Sequence, residues 1–232
     1  MKIKKYLFTV AASLFLLGLT SAAALAKNET KDVQDSANVL STIMKIPEKG
    51  IPPALLRDAQ AIVIVPDVIK GAFIVGGRHG TGVLLVRESG GHWSDPVFVS
   101  LTGGSVGWQV GGTSTDVILV FKNRKGVEGL LKGKFTLGAD ASVAAGPVGR
   151  SAEAATDIML KSEILSYSRS RGLFAGVSLE GAALLIDEDA TAAYYSKKDL
   201  RAADILAGKH GGKASPATKR LKGLLMQYST MK

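Results

Sequence analysis

The chain has no cysteine and only three histidines among its 232 residues. Disulfides are thereby excluded, as is the acylated cysteine of a lipoprotein. His79, His92 and His210 lie far apart, so a zinc site with ordinary local ligand spacing is not expected. Lysine-rich tails and aromatic-interleaved basic runs are missing, which argues against a nucleic-acid binder. No G-x-G-x-x-G follows a strand-like run and opens a helix. No glycine-rich segment ends in the lysine-serine/threonine pair of a P-loop. These absences leave no cofactor and no metal to be expected.

One candidate for hydrolytic chemistry remains. Gly103 to Gly107 reads "GGSVG", which matches the G-x-S-x-G pattern of a nucleophile elbow. That motif requires a helix after the serine. Strand-like sequence follows instead, so Ser105 is not expected to be a nucleophile, and no catalytic residue is assigned. The acids of "DEDA", Asp187 to Ala190, are explained by a helix start with its N-cap at Asp189 rather than by calcium.

Lysines 2, 4 and 5 precede an apolar run from Tyr6 to about Leu19, and Ala24-Leu25-Ala26 forms an A-x-A site before Lys27. Residues 1–26 thus have the three parts of a secretory signal peptide, and the run is short for a membrane span. The expectation is an exported, periplasmic envelope protein with a single domain over residues 27–232. Taking three lysines from 29 basic residues leaves 26 against 20 acids, a net charge of +6. That bias favours anionic partners such as phospholipid headgroups.

Val33, Ala37, Leu40 and Met44 recur at helical spacing within Lys31 to Ile46, an amphipathic helix expected to pack on its own domain. "IPPALLRDAQ" starts a second helix with Pro53 in its first turn. The texture then turns to β: "AIVIVP", "GAFIVGG", "GVLLVRE", "WSDPVFVSL", "SVGWQVGG" and "TDVILVFK" read as six short strands. "NRKGVEGLLKG" is a helical turn capped by Asn123, and "KFTLGADASVAAG" returns to strand. Residues 150–163 are open between helix and strand. The final part is helical, with Asp199 and Ser215 as N-caps and Leu221, Leu224, Leu225 and Tyr228 on a buried face.

Glycine is abundant, with 27 residues, many in or beside strand-like runs. Glycine weakens a strand unless the sheet bends there or another group lies close to it. The fold class expected is therefore α+β: a strongly bent, glycine-rich antiparallel sheet, barrel- or sandwich-like, with N- and C-terminal helices. Glu180 interrupts the apolar segment "GLFAGVSLEGAALLIDE" and, if it points inward, needs a cation such as Arg150 or Arg171. Lys70–Glu88 and Arg171–Glu188 echo one another as two hairpins. Duplication and convergent turn chemistry account for the echo equally well.

The phrases "IPPALLRDAQAIVIVP", "GGRHGTGVLLVRESGGHWSDPVFVSLTGGSVGWQVGGTSTDVILVF", "FTLGADASVAAGPVGRSAEA" and "ILSYSRSRGLFAGVSLEGAALL" resemble the SYLF domain family, also described as a yeast-type actin-binding domain family. The resemblance runs from about Ser36 to Tyr228. It implies a non-catalytic lipid-binding module: eukaryotic relatives bind phosphoinositides, and some bind actin. For an exported chain, anionic phospholipid is the expected partner, with an envelope protein as the alternative; actin and nucleic acid are not expected. The headgroup candidates are basic residues beside glycine-rich turns, namely Lys70, Arg78, Arg150, Arg169 and Arg171, because forked guanidinium donors suit phosphate oxygens.

Overall fold

The computed structural model describes residues 28–46, 50–73, 75–106, 111–148, 161–170, 173–174, 179–210 and 214–231. The leader at 1–26, Arg150, Arg171 and most of the 150–163 segment lie outside them. Helix α1 covers residues 28–44, and α2 is Pro53–Asp58 with proline in its first turn. Four long strands follow: β1 (Ala61–Phe73), β2 (Val75–Val86), β3 (Val97–Val106) and β4 (Gly111–Phe121). Then come α3 (Arg124–Leu131), β5 (Phe135–Thr136), β6 (Val143–Ala145), β7 (Ile164–Ser170), β8 (Leu173–Phe174) and β9 (Ala183–Ile186). Helices α4 (Glu188–Tyr194), α5 (Ala202–Leu206) and α6 (Pro216–Thr230) complete the described chain.

Among the described residues, nine strands form one curled half-barrel sheet, ordered β5-β9-β3-β2-β1-β4-β7-β6, with β8 paired to β7. It is a single sheet rather than a sandwich. Every pairing is antiparallel except β6 with β7, which is parallel.

The apolar runs in β1 and β4 exist because both faces of the sheet are covered. Ala61, Val63, Val65, Val117, Leu119 and Phe121 face a core closed by α3, α5 and the β9 region. Ile62, Ile64, Ile118 and Val120 face a second core built with Val33, Ala37, Leu40 and Ile43 of α1, Leu56 of α2, and Leu221, Leu225 and Tyr228 of α6. Burying each such aliphatic side chain contributes about 1.5–3 kcal/mol. The amphipathic N-terminal helix is thus packed on its own domain.

Asn123 caps α3 by accepting from Gly126 N, and Ser215 caps α6 by accepting from Thr218 N. Four local expectations are corrected. The N-cap of α4 is Asp187, not Asp189. Asp199 sits in a turn at φ 62°, and α5 begins after Arg201, with the Ala202 amide donating to the Glu188 carboxylate. Glu180 is exposed, so it needs no buried cation. In the described part of 171–188, β8 pairs with β7 and β9 pairs with β3 and β5, and no register joins β8 to β9 as one joins β1 to β2.

Candidate functional site

The six short strands expected from glycine and proline punctuation are four long ones because β1 runs through Pro66. A one-residue register shift lies between Ile64 and Ile69 in the pairing with β2, and between Val65 and Val68 in the pairing with β4. Proline cannot donate to a ladder, and a bulge is where a strand tolerates it. Asp67 takes a left-handed φ of 47°, a conformation aspartate accepts better than bulkier residues. Its amide donates to Asp116 Oδ1 at 3.2 Å, and Ser114 Oγ donates to its Oδ1 at 2.7 Å. Arg169 on β7 donates from Nε and Nη2 to Asp116 Oδ2, at 3.1 and 2.6 Å. On the other flank β2 is thinned to receive the bulge. A Cβ on Gly82 would lie 2.0 Å from the Ile64 carbonyl oxygen, and one on Gly80 2.9 Å from Val65.

Above this bulge, among the described residues, the β9 register with β3 ends at Thr102 and the β7 register with β4 ends at Asp116, although Ser170 Oγ still donates to the Ser114 carbonyl. Strands β1 to β4 continue past these neighbours by four residues on β3 and five on β4. At the usual rise per residue this forms a four-stranded tongue about 14–17 Å long. Its positions are 69–73, 75–79, 103–106 and 111–115. They include Lys70, Arg78 and His79, seven glycines and no acid. The acids at the root are engaged: Asp67 with Ser114, Asp116 with Arg169, and Asp32 of α1 with the Thr81 hydroxyl.

Within the tongue, Lys70 is directly opposite Arg78, and Thr113 and Gly103 continue the same row across β4 and β3. Residues in register share a face. The stem of Arg78 lies over Gly103, where an added Cβ would come within 3.3 Å of Arg78 Cγ. The structure therefore brings Lys70 and Arg78 together. It places Arg169 at the root, committed to Asp116. Arg150 and Arg171 fall outside the described residues.

The opposite end of the sheet holds polar features the sequence reading missed. Asp95 bonds His210 Nε2 and Lys222 Nζ, each at 2.8 Å, while Tyr195 donates to the Pro96 carbonyl. Burial, and then the charge of Asp95, raise the Tyr195 hydroxyl far above its usual titration range. This clasp fastens α6 to the β2–β3 connection. The neighbouring Ser94 Oγ accepts from Val86 N and donates to the Asp95 carbonyl. Arg87 stacks 4.3 Å from the Trp93 ring and donates to the Ala59, Gly91 and Leu56 carbonyls, which ties α2 to the sheet.

Ser105 sits within β3, paired with Gly76, and the chain resumes as β4 at Gly111 rather than as the helix a nucleophile elbow needs. Among the described residues no group of three or more histidines and acids could hold a metal ion. No helix among them is long and apolar enough to cross a membrane.

The Ysc84 family, described as "Las17-binding protein actin regulator", matches residues 102–228. The chain is 37% identical over 164 residues to the Xenopus laevis SH3 domain-containing YSC84-like protein 1, covering 70% of this chain and 49% of that protein. It is 36% identical over 207 residues to Protein YSC84 of Saccharomyces cerevisiae, covering 86% of this chain and 43% of that one. The human SH3 domain-containing YSC84-like protein 1 is 33% identical over 190 residues, 79% of this chain and 55% of its own length. The chain spans about half the length of these relatives. The match over more than half of its residues, together with the curled sheet and its flanking helices, establishes that the chain belongs to the Ysc84, or SYLF, family.

Proposed function

We propose that this chain is a non-catalytic binder of anionic phospholipid at a membrane surface, working in a bacterial envelope after export on its N-terminal leader. The observation that carries the reading is the cross-strand pair Lys70–Arg78 on an acid-free tongue. Two basic residues in register on adjacent strands offer one phosphate donors from both. The net positive charge adds a long-range attraction to the same partner.

The test is flotation of the protein with phosphatidylglycerol vesicles and with neutral phosphatidylcholine vesicles, at low and high salt. The chain is expressed in full and purified after N-terminal processing, with its N-terminus read by mass spectrometry. Binding to anionic vesicles that salt weakens is the expected result. Absence of flotation in every condition favours the second reading, a protein partner, which the Las17-binding description of the family supports.

A further inference from the structure

Packing accounts for the inner face of α3 and leaves its outer face unexplained. Val127 and Leu130 are buried. The glycines of the helix have steric reasons on that side: a Cβ on Gly126 would lie 2.9 Å from the Phe121 ring, and one on Gly129 3.0 Å from the Phe135 ring. The other side carries Arg124, Lys125, Glu128 and Leu131, all exposed, followed by exposed Lys132 and Lys134. Lys122 to Lys134 holds five basic residues and one acid, a net +4 in a chain whose whole charge is +9. Leu131, in the middle of these cations, is 37% exposed.

Helix stability does not account for these charges either. The helix macrodipole favours acids in the first turn and cations in the last. Lys132, at the C-cap, obeys that rule, but α3 opens with Arg124 and Lys125 and has no acid in its first turn. Arg124 has a local reason, since its Nη2 donates to the Arg87 carbonyl at 2.6 Å. Lys125 has a slight one: it lies 3.9 Å from the Glu163 carboxylate with its side chain 82% exposed. A surface pair of that kind adds little.

Two depressions flank the helix. One, of about 370 Å³, sets Lys125, Lys132 and Lys134 over Phe135, with Glu128 and Asp140 on its wall. Asp140 is occupied there, its Oδ2 accepting from Thr136 N at 2.6 Å. The other, of about 220 Å³, has Val86, Val127, Leu131 and Leu206 as its apolar lining, beside Arg124 and Glu88. Donors for an anion and room for an apolar group thus lie on the two sides of one helix.

We propose that the outer face of α3 is a second docking surface for an anionic bilayer. Lys125, Lys132 and Lys134 meet its phosphates, and Leu131 enters between the headgroups. The proposal rests on the anionic-lipid reading above and adds a contact at the other end of the sheet. Arg124 and Leu131 lie against Val86 to Ser89, and Val86 pairs with Ala61 at the start of β1. From Ala61 to Lys70 the strand rises about 30 Å. Charge selects the occupant, because a cluster of this sign attracts an anionic surface and repels a cationic partner. The side chains suit the same occupant: lysine stems keep their ammonium groups among headgroups while a neighbouring apolar side chain goes deeper.

Because the chain lacks cysteine, a single introduced cysteine is a unique labelling site. Leu131→Cys reports on α3, and Gln227→Cys reports on the exposed side of α6, which covers the opposite face of the sheet. Each processed variant is labelled with the environment-sensitive dye NBD and mixed with phosphatidylglycerol or phosphatidylcholine vesicles. The expected result is a blue shift and a several-fold rise in emission at position 131 on phosphatidylglycerol alone, with position 227 unchanged. The double variant Lys132→Glu, Lys134→Glu, checked for an unchanged unfolding temperature, is expected to weaken flotation at least tenfold, and Lys132→Arg, Lys134→Arg to preserve it. If the unmodified protein floats, three results each overturn the α3 surface and leave the lipid reading standing. They are a silent dye at position 131, an equal change on phosphatidylcholine, and undiminished flotation of the charge-reversed variant. Failure of the unmodified protein to float overturns both and leaves a protein partner.

Discussion

The two halves of the sheet obey opposite rules although the same four strands build both. Below the bulge, β1 and β4 carry apolar side chains on both faces, and helices cover each face. Above it, the same strands are rich in glycine, serine and threonine and carry Lys70 and Arg78 among a few apolar residues, and among the described residues the registers with β9 and β7 have ended. The lower half is selected for packing, where a change of one methylene is felt. The upper half sets two basic residues in register, an arrangement that suits an anion. The boundary is the Asp67–Asp116–Arg169 network, which fixes where the first regime ends.

The sharpest break of this contrast is Gly82→Ala. Its new Cβ would fall 2.0 Å from the Ile64 carbonyl, so the bulge must open. We expect a loss of more than about 3 kcal/mol, at the upper end of overpacking costs, seen as a thermal midpoint lowered by roughly 10 °C or as insolubility. An unchanged midpoint would show that the bulge is not a fixed element. Asp116→Ala comes next. It strips Arg169 and the Asp67 amide of their acceptor, at an expected cost of about 2–3 kcal/mol in urea unfolding, below the range for fully buried pairs because Arg169 is a quarter exposed.

Lys70→Glu separates the two halves most cleanly. Facing Arg78, the new carboxylate forms an opposite-charge cross-strand pair, a type worth about 0.2–1 kcal/mol, so no loss of stability is expected. The same change is expected to reduce binding to anionic vesicles at least tenfold. A variant that is both less stable and fully lipid-competent would break the argument for this pair. Gly104→Ala should do little harm: with open space around the Cβ, a gain of about 0.4–1 kcal/mol is expected from the restricted unfolded chain.

The smallest expected effect concerns pH. Burial lifts the Asp32 carboxyl above its ordinary value of 3.8, against the lowering effect of the Thr81 hydrogen bond. The folded state therefore holds this proton more tightly than the unfolded chain. The associated stability is fully present below 3.8 and is lost as pH rises through the folded value. Asp32→Asn should flatten that acid-side slope in urea midpoints measured across pH. An unaltered slope would place the titration elsewhere.

Much of this architecture could be read in the chain before folding. The helices announced themselves through spacing and caps, as at Asn123 and Ser215, because those signals act within one turn. The strand count misled because Pro66 and the glycines look like terminators locally. Only the neighbouring strand, with Gly80 and Gly82 opposite the bulge, explains how β1 continues through them. Lys70 and Arg78 were legible as candidates by type and turn context, but their opposition depends on a register no single segment contains. The Asp95 clasp joins residues more than one hundred positions apart and leaves no local trace.

The core on the α1 side of the sheet is closed by the two ends of the described chain, and Arg220 donates to Asn38 across a separation of 182 residues. The opposite core draws mainly on contiguous sequence from the middle and later part of the chain. Contacts between distant residues form slowly because the loop must close before they reward it. During synthesis the sheet and its first cover can assemble while α1 waits for α6. Part of an apolar face therefore stays open until α6, Pro216–Thr230, emerges, and a chain cut short of it would lack Leu221, Leu225 and Tyr228 from this core and be prone to aggregation.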